Sequence, residues 1–156
     1  MADDGLDHLA PWLEGYLQRL APAARRKMTR KLGKALRDAN AKRIRDNVQP
    51  DGSAMEPRKS QRDRRGRLRK RKGRMFPKAA LARNLRAQTS ADEIVIRFRP
   101  LVARIAEVHH FGEEAPVDPD IRASIRVRYA QRRLLGLSAR DQDVIEQSAL
   151  NLLDGK

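Results

Sequence analysis

The sequence predicts an α+β fold with an aliphatic core and one long basic loop. Three observations carry this. Apolar residues recur at helical spacing near both ends of the chain. One stretch, Glu93-Ile-Val-Ile-Arg-Phe-Arg99, alternates at strand period. Arg58 to Lys78 holds 12 Lys/Arg against a single acid, Asp63, and so supplies +11 of the net charge of +15. The expected elements are an N-terminal helical hairpin or long kinked helix, a small antiparallel sheet, a short central helix and a C-terminal helix. At 156 residues one domain is the default. It divides into a helical region 1–48, the basic loop 49–78 and an α+β core 79–156.

Leu6, Leu9, Leu13, Tyr16, Leu17 and Leu20 fit a first helix. Its start is Asp3 or Asp4 as cap, or Pro11 at a first-turn position. Ala21-Pro22 breaks the run. A second helix from about Ala23 to Val48 places Met28, Leu32, Ala35, Leu36, Ala39 and Ile44 on one face. Pro50 and Asp51-Gly52 stop it. From there to Lys78 no apolar period is sustained, and Gly and Pro punctuate a long loop with at most a helical turn. Residues 79–87 read as a short helix with Leu81 and Leu85 on one face. The strand 93–99 follows. Pro100 opens a helix with Leu101, Val102, Ile105, Ala106 and His109 on one face, and Gly112 caps it. Residues 113–120 read as loop, and 121–129 as a second strand of the same sheet or an extended arm. Ser138 is the expected N-cap of the last helix, with Asp141 at the third position of a capping box. Val144, Ile145, Ala149, Leu152 and Leu153 form its apolar face.

Composition narrows the chemistry. There is no cysteine, which excludes disulfides and thiolate metal sites. No apolar run approaches the roughly 20 residues of a membrane span, so no membrane partner is expected. The acidic first residues do not fit a signal peptide. Adjacent His109 and His110 point about 100° apart on a helix and converge poorly on one ion; one packing beside Phe111 and one facing solvent is the reading preferred. Asp118, Asp120, Asp141 and Asp143 are the one carboxylate cluster a nuclease would need, and the last two read as acids at a helix N-terminus. No phosphate loop, nucleophile elbow or zinc helix is present. No enzyme, metal site or cofactor is therefore expected.

The basic segment needs an acidic counterpart. The contact residues expected are Arg58, Lys59, Arg62, Arg64, Arg65, Arg67, Arg69, Lys70, Arg71, Lys72 and Arg74. The segment lacks the aromatic interleaving of a single-strand stacking platform, so contact with phosphates or an acidic protein surface fits better than base readout. Leu68, Met75 and Phe76 are apolar anchors that a purely solvated run need not contain.

Four stretches, in order, carry a resemblance. They are Arg43-Ile-Arg-Asp-Asn-Val-Gln-Pro-Asp-Gly52; Pro57-Arg58-Lys59 with Gly66-Arg67-Leu68 and Met75-Phe76; Val95-Ile-Arg-Phe98 with Ala103-Arg-Ile-Ala-Glu-Val-His-His-Phe-Gly112; and Arg133-Leu-Leu-Gly-Leu-Ser138 followed by Asp141 and Asp143. Together they resemble the tail completion, or virion morphogenesis, proteins of contractile-tailed bacteriophages. His110 stands where that family often has an amide. The resemblance implies a structural virion protein of tail and neck, assembled in the bacterial host cytoplasm. It further implies a homo-oligomeric ring, a hexamer matching the tail, that terminates the tail at its head-proximal end. The implied partners are tail tube and sheath subunits, head-completion or connector proteins, and non-specifically the DNA in the channel. The rival reading is a basic nucleic-acid-binding accessory protein.

Overall fold

The computed structural model describes residues 21–59, 61–62, 65, 68–69 and 75–154. The leucine pattern of residues 6–20 and its capping aspartates lie outside them. Among the described residues the fold is α+β: three helices and three antiparallel strand pairs, each two-stranded.

Helix α1 spans Pro22–Asp46. Pro22 opens it, where a missing N–H costs nothing, and Arg43 and Arg45 complement the negative end of its dipole. Its buried stripe is Thr29, Leu32, Gly33, Leu36, Asn40, Ala41 and Ile44. Leu32, Leu36 and Ile44 match the expected face, but Ala35 is exposed. The stripe is rotated because a β-hairpin lies too close for large side chains. A Cβ on Gly33 would sit 2.7 Å from Thr89 Cγ2. The polar members of the stripe are satisfied. Thr29 Oγ1 donates to Ser90 O at 2.5 Å, and Asn40 Nδ2 donates to Leu36 O at 2.9 Å. Asn40 Oδ1 accepts from the Gly136 N–H at 3.1 Å.

Strand pair β1 (Gln61–Arg62) and β2 (Leu68–Arg69) lies inside the basic segment, where a loop was expected. Strands β3 (Leu85–Thr89) and β4 (Ile94–Phe98) pair in register from Leu85↔Phe98 to Thr89↔Ile94. The strand expected at 93–99 is thus present, but its partner is the segment read as helix. The Leu81–Leu85 spacing does close one turn, with Leu85 N–H donating to Leu81 O at 2.9 Å. Beyond it, Leu85, Ala87 and Thr89 alternate with Arg86 and Gln88, and pairing with β4 wins. Ser90 Oγ accepts from the N–H of Asp92 and of Glu93, shaping the hairpin turn.

Helix α2 (Pro100–Phe111) begins at Pro100 and ends at Gly112 as expected, with Gly112 left-handed at φ 70°. Ala106 is buried and Val102 packs on the core, whereas Leu101 is 87% and Ile105 59% exposed. Strand β5 (Glu114–Pro116) pairs with β6 (Arg126–Arg128). This corrects two readings: 113–120 is not all loop, and 121–129 does not join the sheet of β4. Bonded positions are 113 with 129 and 117 with 125. Pro116, opposite Arg126, falls at an unbonded position, so its missing N–H breaks no rung.

Helix α3 (Ala139–Leu153) starts with the predicted capping box, Ser138 Oγ accepting from Asp141 N–H and Asp141 Oδ2 from Ser138 N–H. Arg43 reaches across from α1 to Asp141 Oδ2 (2.6 Å) and Gly136 O (2.7 Å). Burial pushes the Asp141 pKa up, but the Ser138 N–H and the Arg43 guanidinium outweigh it and hold the carboxyl below its usual value. The core joins Ala41 and Ile44 of α1, Met55, Met75, Ala79, Ala80, Leu85, Ala106 and Leu134.

Candidate functional site

The basic segment leaves the body of the fold between two anchored stems. On the incoming side Met55 is buried, and its N–H donates to Asn47 O at 2.8 Å. On the returning side Met75 is buried, and its N–H donates to Asn47 Oδ1 at 3.3 Å. Phe76 meets the ring of His109 edge-on, with centroids 5.0 Å apart. One residue therefore fastens both stems. Asn47 is left-handed, at φ 56°, a conformation asparagine tolerates better than most residues. Arg58 closes the base by donating from Nη2 to Met75 O.

Arg132 locks the incoming stem. It is 5% exposed. Its guanidinium donates to Glu56 O at 2.6 Å, Pro57 O at 2.9 Å and Ala130 O at 3.3 Å. Burial pushes its pKa down; the charge of Glu56 opposes this and nearby Arg58 reinforces it. The adjacent Arg133 has the opposite fate: it is exposed and pairs with Asp51.

Of the expected contact residues, Lys59 is exposed, and Arg58 is exposed at the base it helps to close. Arg62 lies on β1 opposite Leu68, and Arg69 on β2 opposite Gln61. Arg65 lies in the turn between them. Arg64, Arg67, Lys70, Arg71, Lys72 and Arg74 lie outside the described residues. The structure adds a second basic surface: Arg86 on β3 is directly opposite Arg97 on β4, and both are exposed. Like charges so placed weaken a strand pair. Reading 79–87 as helix hid this pairing. Met75 and Phe76 are the apolar anchors their composition suggested.

A model of the phage virion morphogenesis family matches residues 4–154. The chain belongs to that family. It is 31% identical over 145 residues to tail completion protein S of Escherichia phage P2, covering 91% of this chain and 93% of that protein. No solved structure matches it. The resemblance carried by the four motif stretches is therefore real, and it extends over nearly the whole chain.

In this virion morphogenesis protein the histidines belong to the framework of the site. His109 sits between Phe76 and Tyr129, with ring centroids at 5.0 and 4.8 Å. Its Nδ1 is 3.2 Å from Arg132 Nη1. Burial, then the charges of Arg132 and Arg58, lower its pKa to about 4. His110 packs on Phe111 at 4.7 Å as expected. Its Nδ1 accepts from the Leu134 N–H at 3.2 Å. Burial and then Arg133 lower its pKa too. Neither ring simply faces solvent, which corrects that part of the sequence reading: both brace the segment 129–134 against α2. Glu114 pairs with Arg126, and Asp118 Oδ1 accepts from Asp120 N–H. Among the described residues no group of three His, Asp or Glu is placed to hold a metal ion, and no helix is long and apolar enough to cross a membrane.

Proposed function

We propose that this protein is a structural, non-enzymatic subunit, acting as one tail-completion domain, that terminates a phage tail at its head-proximal end. The observation that carries this reading is the match to a tail completion protein along nearly the full length of both chains. In this reading copies form a ring, six to match the tail, in the neck of the virion. One side meets tail tube and sheath, and the other meets head-completion or connector proteins.

The fold supports an assembly role in two ways. Leu101, Ile105, Phe111, Ile121 and Ile125 are large apolar residues left more than half exposed, an arrangement typical of surfaces that await a partner. The basic segment projects from stems fixed by Asn47 and Arg132, so its charge is presented at a defined place. We assign this segment to an acidic face of a neighbouring subunit or to DNA in the channel. A ring multiplies such contacts, so each can be weak.

Electron cryo-microscopy of particles tests the reading: density for this chain as a ring at the head–tail junction is expected. Its absence from purified particles would refute it. Replacing Arg64, Arg65, Arg67, Arg69, Lys70, Arg71 and Lys72 with Ser is expected to lower the yield of infectious particles sharply, and unchanged infectivity would remove the segment's role.

A further inference from the structure

Two apolar surfaces of this fold complement one another but do not meet within one copy. The first is the tip of the β5–β6 hairpin. Val117, Ile121 and Ile125 are 59, 57 and 76% exposed there. The tip is nevertheless ordered: Val117 N–H donates to Ile125 O at 3.0 Å, Ser124 N–H to Ile121 O at 3.0 Å, and Asp118 N–H to Ser124 Oγ at 2.8 Å. Fixing three branched apolar side chains in water gains nothing for the isolated chain.

The second surface is a groove of about 510 Å³ between α1, β4 and the segment 135–137. Leu32, Leu36, Ile94, Ile96 and Leu137 line it, and Asp92 and Glu93 stand at its exposed edge. Asp92 pairs with Arg25 yet keeps 70% of its side chain exposed.

We propose that the hairpin tip of one copy seats in this groove of the next copy, with Arg122 facing Asp92 and Glu93. The inference rests on the ring reading above and names the contact that would build it. Charge decides the occupant. With 35 basic against 20 acidic residues, two copies repel unless their contact falls on a local acidic spot. The groove offers such a spot beside its apolar lining, and the tip offers a cation beside its apolar side chains. Because tip and groove are different surfaces, the contact runs head to tail. It propagates from copy to copy and closes into a ring, whereas a self-complementary patch would stop at a dimer.

The chain has no cysteine, so single introduced thiols report cleanly. Full-length Ile125→Cys and Leu137→Cys proteins, both altered at exposed positions, are mixed with a short bis-maleimide cross-linker. The expected result is a covalent dimer in the mixture and little in either protein alone. Arg122→Glu should cut the yield several-fold, and adding Glu93→Arg should restore it. Equal cross-linking of Ile125→Cys with itself would overturn the proposal. So would shielding of the Leu137→Cys thiol in the monomer, since residues 1–20 of the same chain would then fill the groove. Multimers without a mixed cross-link would place the contact elsewhere and leave the ring reading standing. A protein that is monomeric in solution and forms no ring in particles would end both.

Discussion

Replacing Arg132 with Met would test whether the base of the basic segment is a rigid platform. Met keeps the length of the side chain and removes its charge and donors. A hydrogen bond to a charged group contributes roughly 1.5–3 kcal/mol net. Arg132 makes two short ones, to Glu56 O and Pro57 O, and a longer one to Ala130 O. Burying the guanidinium offsets part of this. The balance leaves an expected loss of about 3 kcal/mol, or roughly 6–12 °C in melting temperature for a chain of this size. Arg132→Lys keeps the charge, but a compact ammonium cannot span two carbonyls, so about half the loss should remain. Urea and thermal melts give the magnitude. Amide exchange at Met55, whose N–H is bonded to Asn47 O, reports whether the stem loosens. A Met variant melting within about 2 °C of the parent, with Met55 protection unchanged, would refute the view that Arg132 holds the stem.

Gly33→Ala brings a helix gain of about 1 kcal/mol against a contact of 2.7 Å with Thr89 Cγ2, and overpacking of this kind costs about 1–3 kcal/mol. Net destabilisation is expected in denaturant melts, and Thr89→Ser, which removes that methyl, should recover most of it in a double-mutant cycle. His109 gives a signed pH effect. Its folded pKa of about 4 lies below the ordinary 6.5, so the unfolded chain takes up the proton first. Its share of stability is complete above pH 6.5 and lost as pH falls towards 4, on the order of 2 kcal/mol after discounting for its partial exposure. His109→Phe should flatten the pH profile of stability over that window relative to the parent protein. Arg43→Ala leaves the buried Asp141 carboxylate without its cation, and a loss of about 3 kcal/mol in urea melts is expected.

The sequence revealed those elements whose signal is local. Pro100 and Gly112 bracket α2, and Ser138 with Asp141 starts α3, because caps act over a few residues. Strand β4 was legible from its alternation, but its partner was not, because Leu81 and Leu85 suit one helical turn as well as a strand entry. The buried face of α1 was only half legible: Thr29, Gly33 and Asn40 are buried for contacts made with residues far along the chain. The same limit applies to the candidate site. Its charge is visible as a run of residues, while the anchors are not. Nothing local separates Arg132, buried under carbonyls, from Arg133, exposed beside Asp51.

The three strand pairs have a kinetic consequence. Each joins segments fewer than about 15 residues apart, so each can form on the microsecond scale of hairpins, largely independently of the others. The bonds from Arg43 to Asp141 and from Gly136 to Asn40 instead close loops of 98 and 96 residues. The ribbons therefore precede the closure, and α3 is the last helix to find its place. A newly made copy already carries its hairpin tip while its two ends are still apart, and the Arg43 clamp sets when that copy becomes a finished building block.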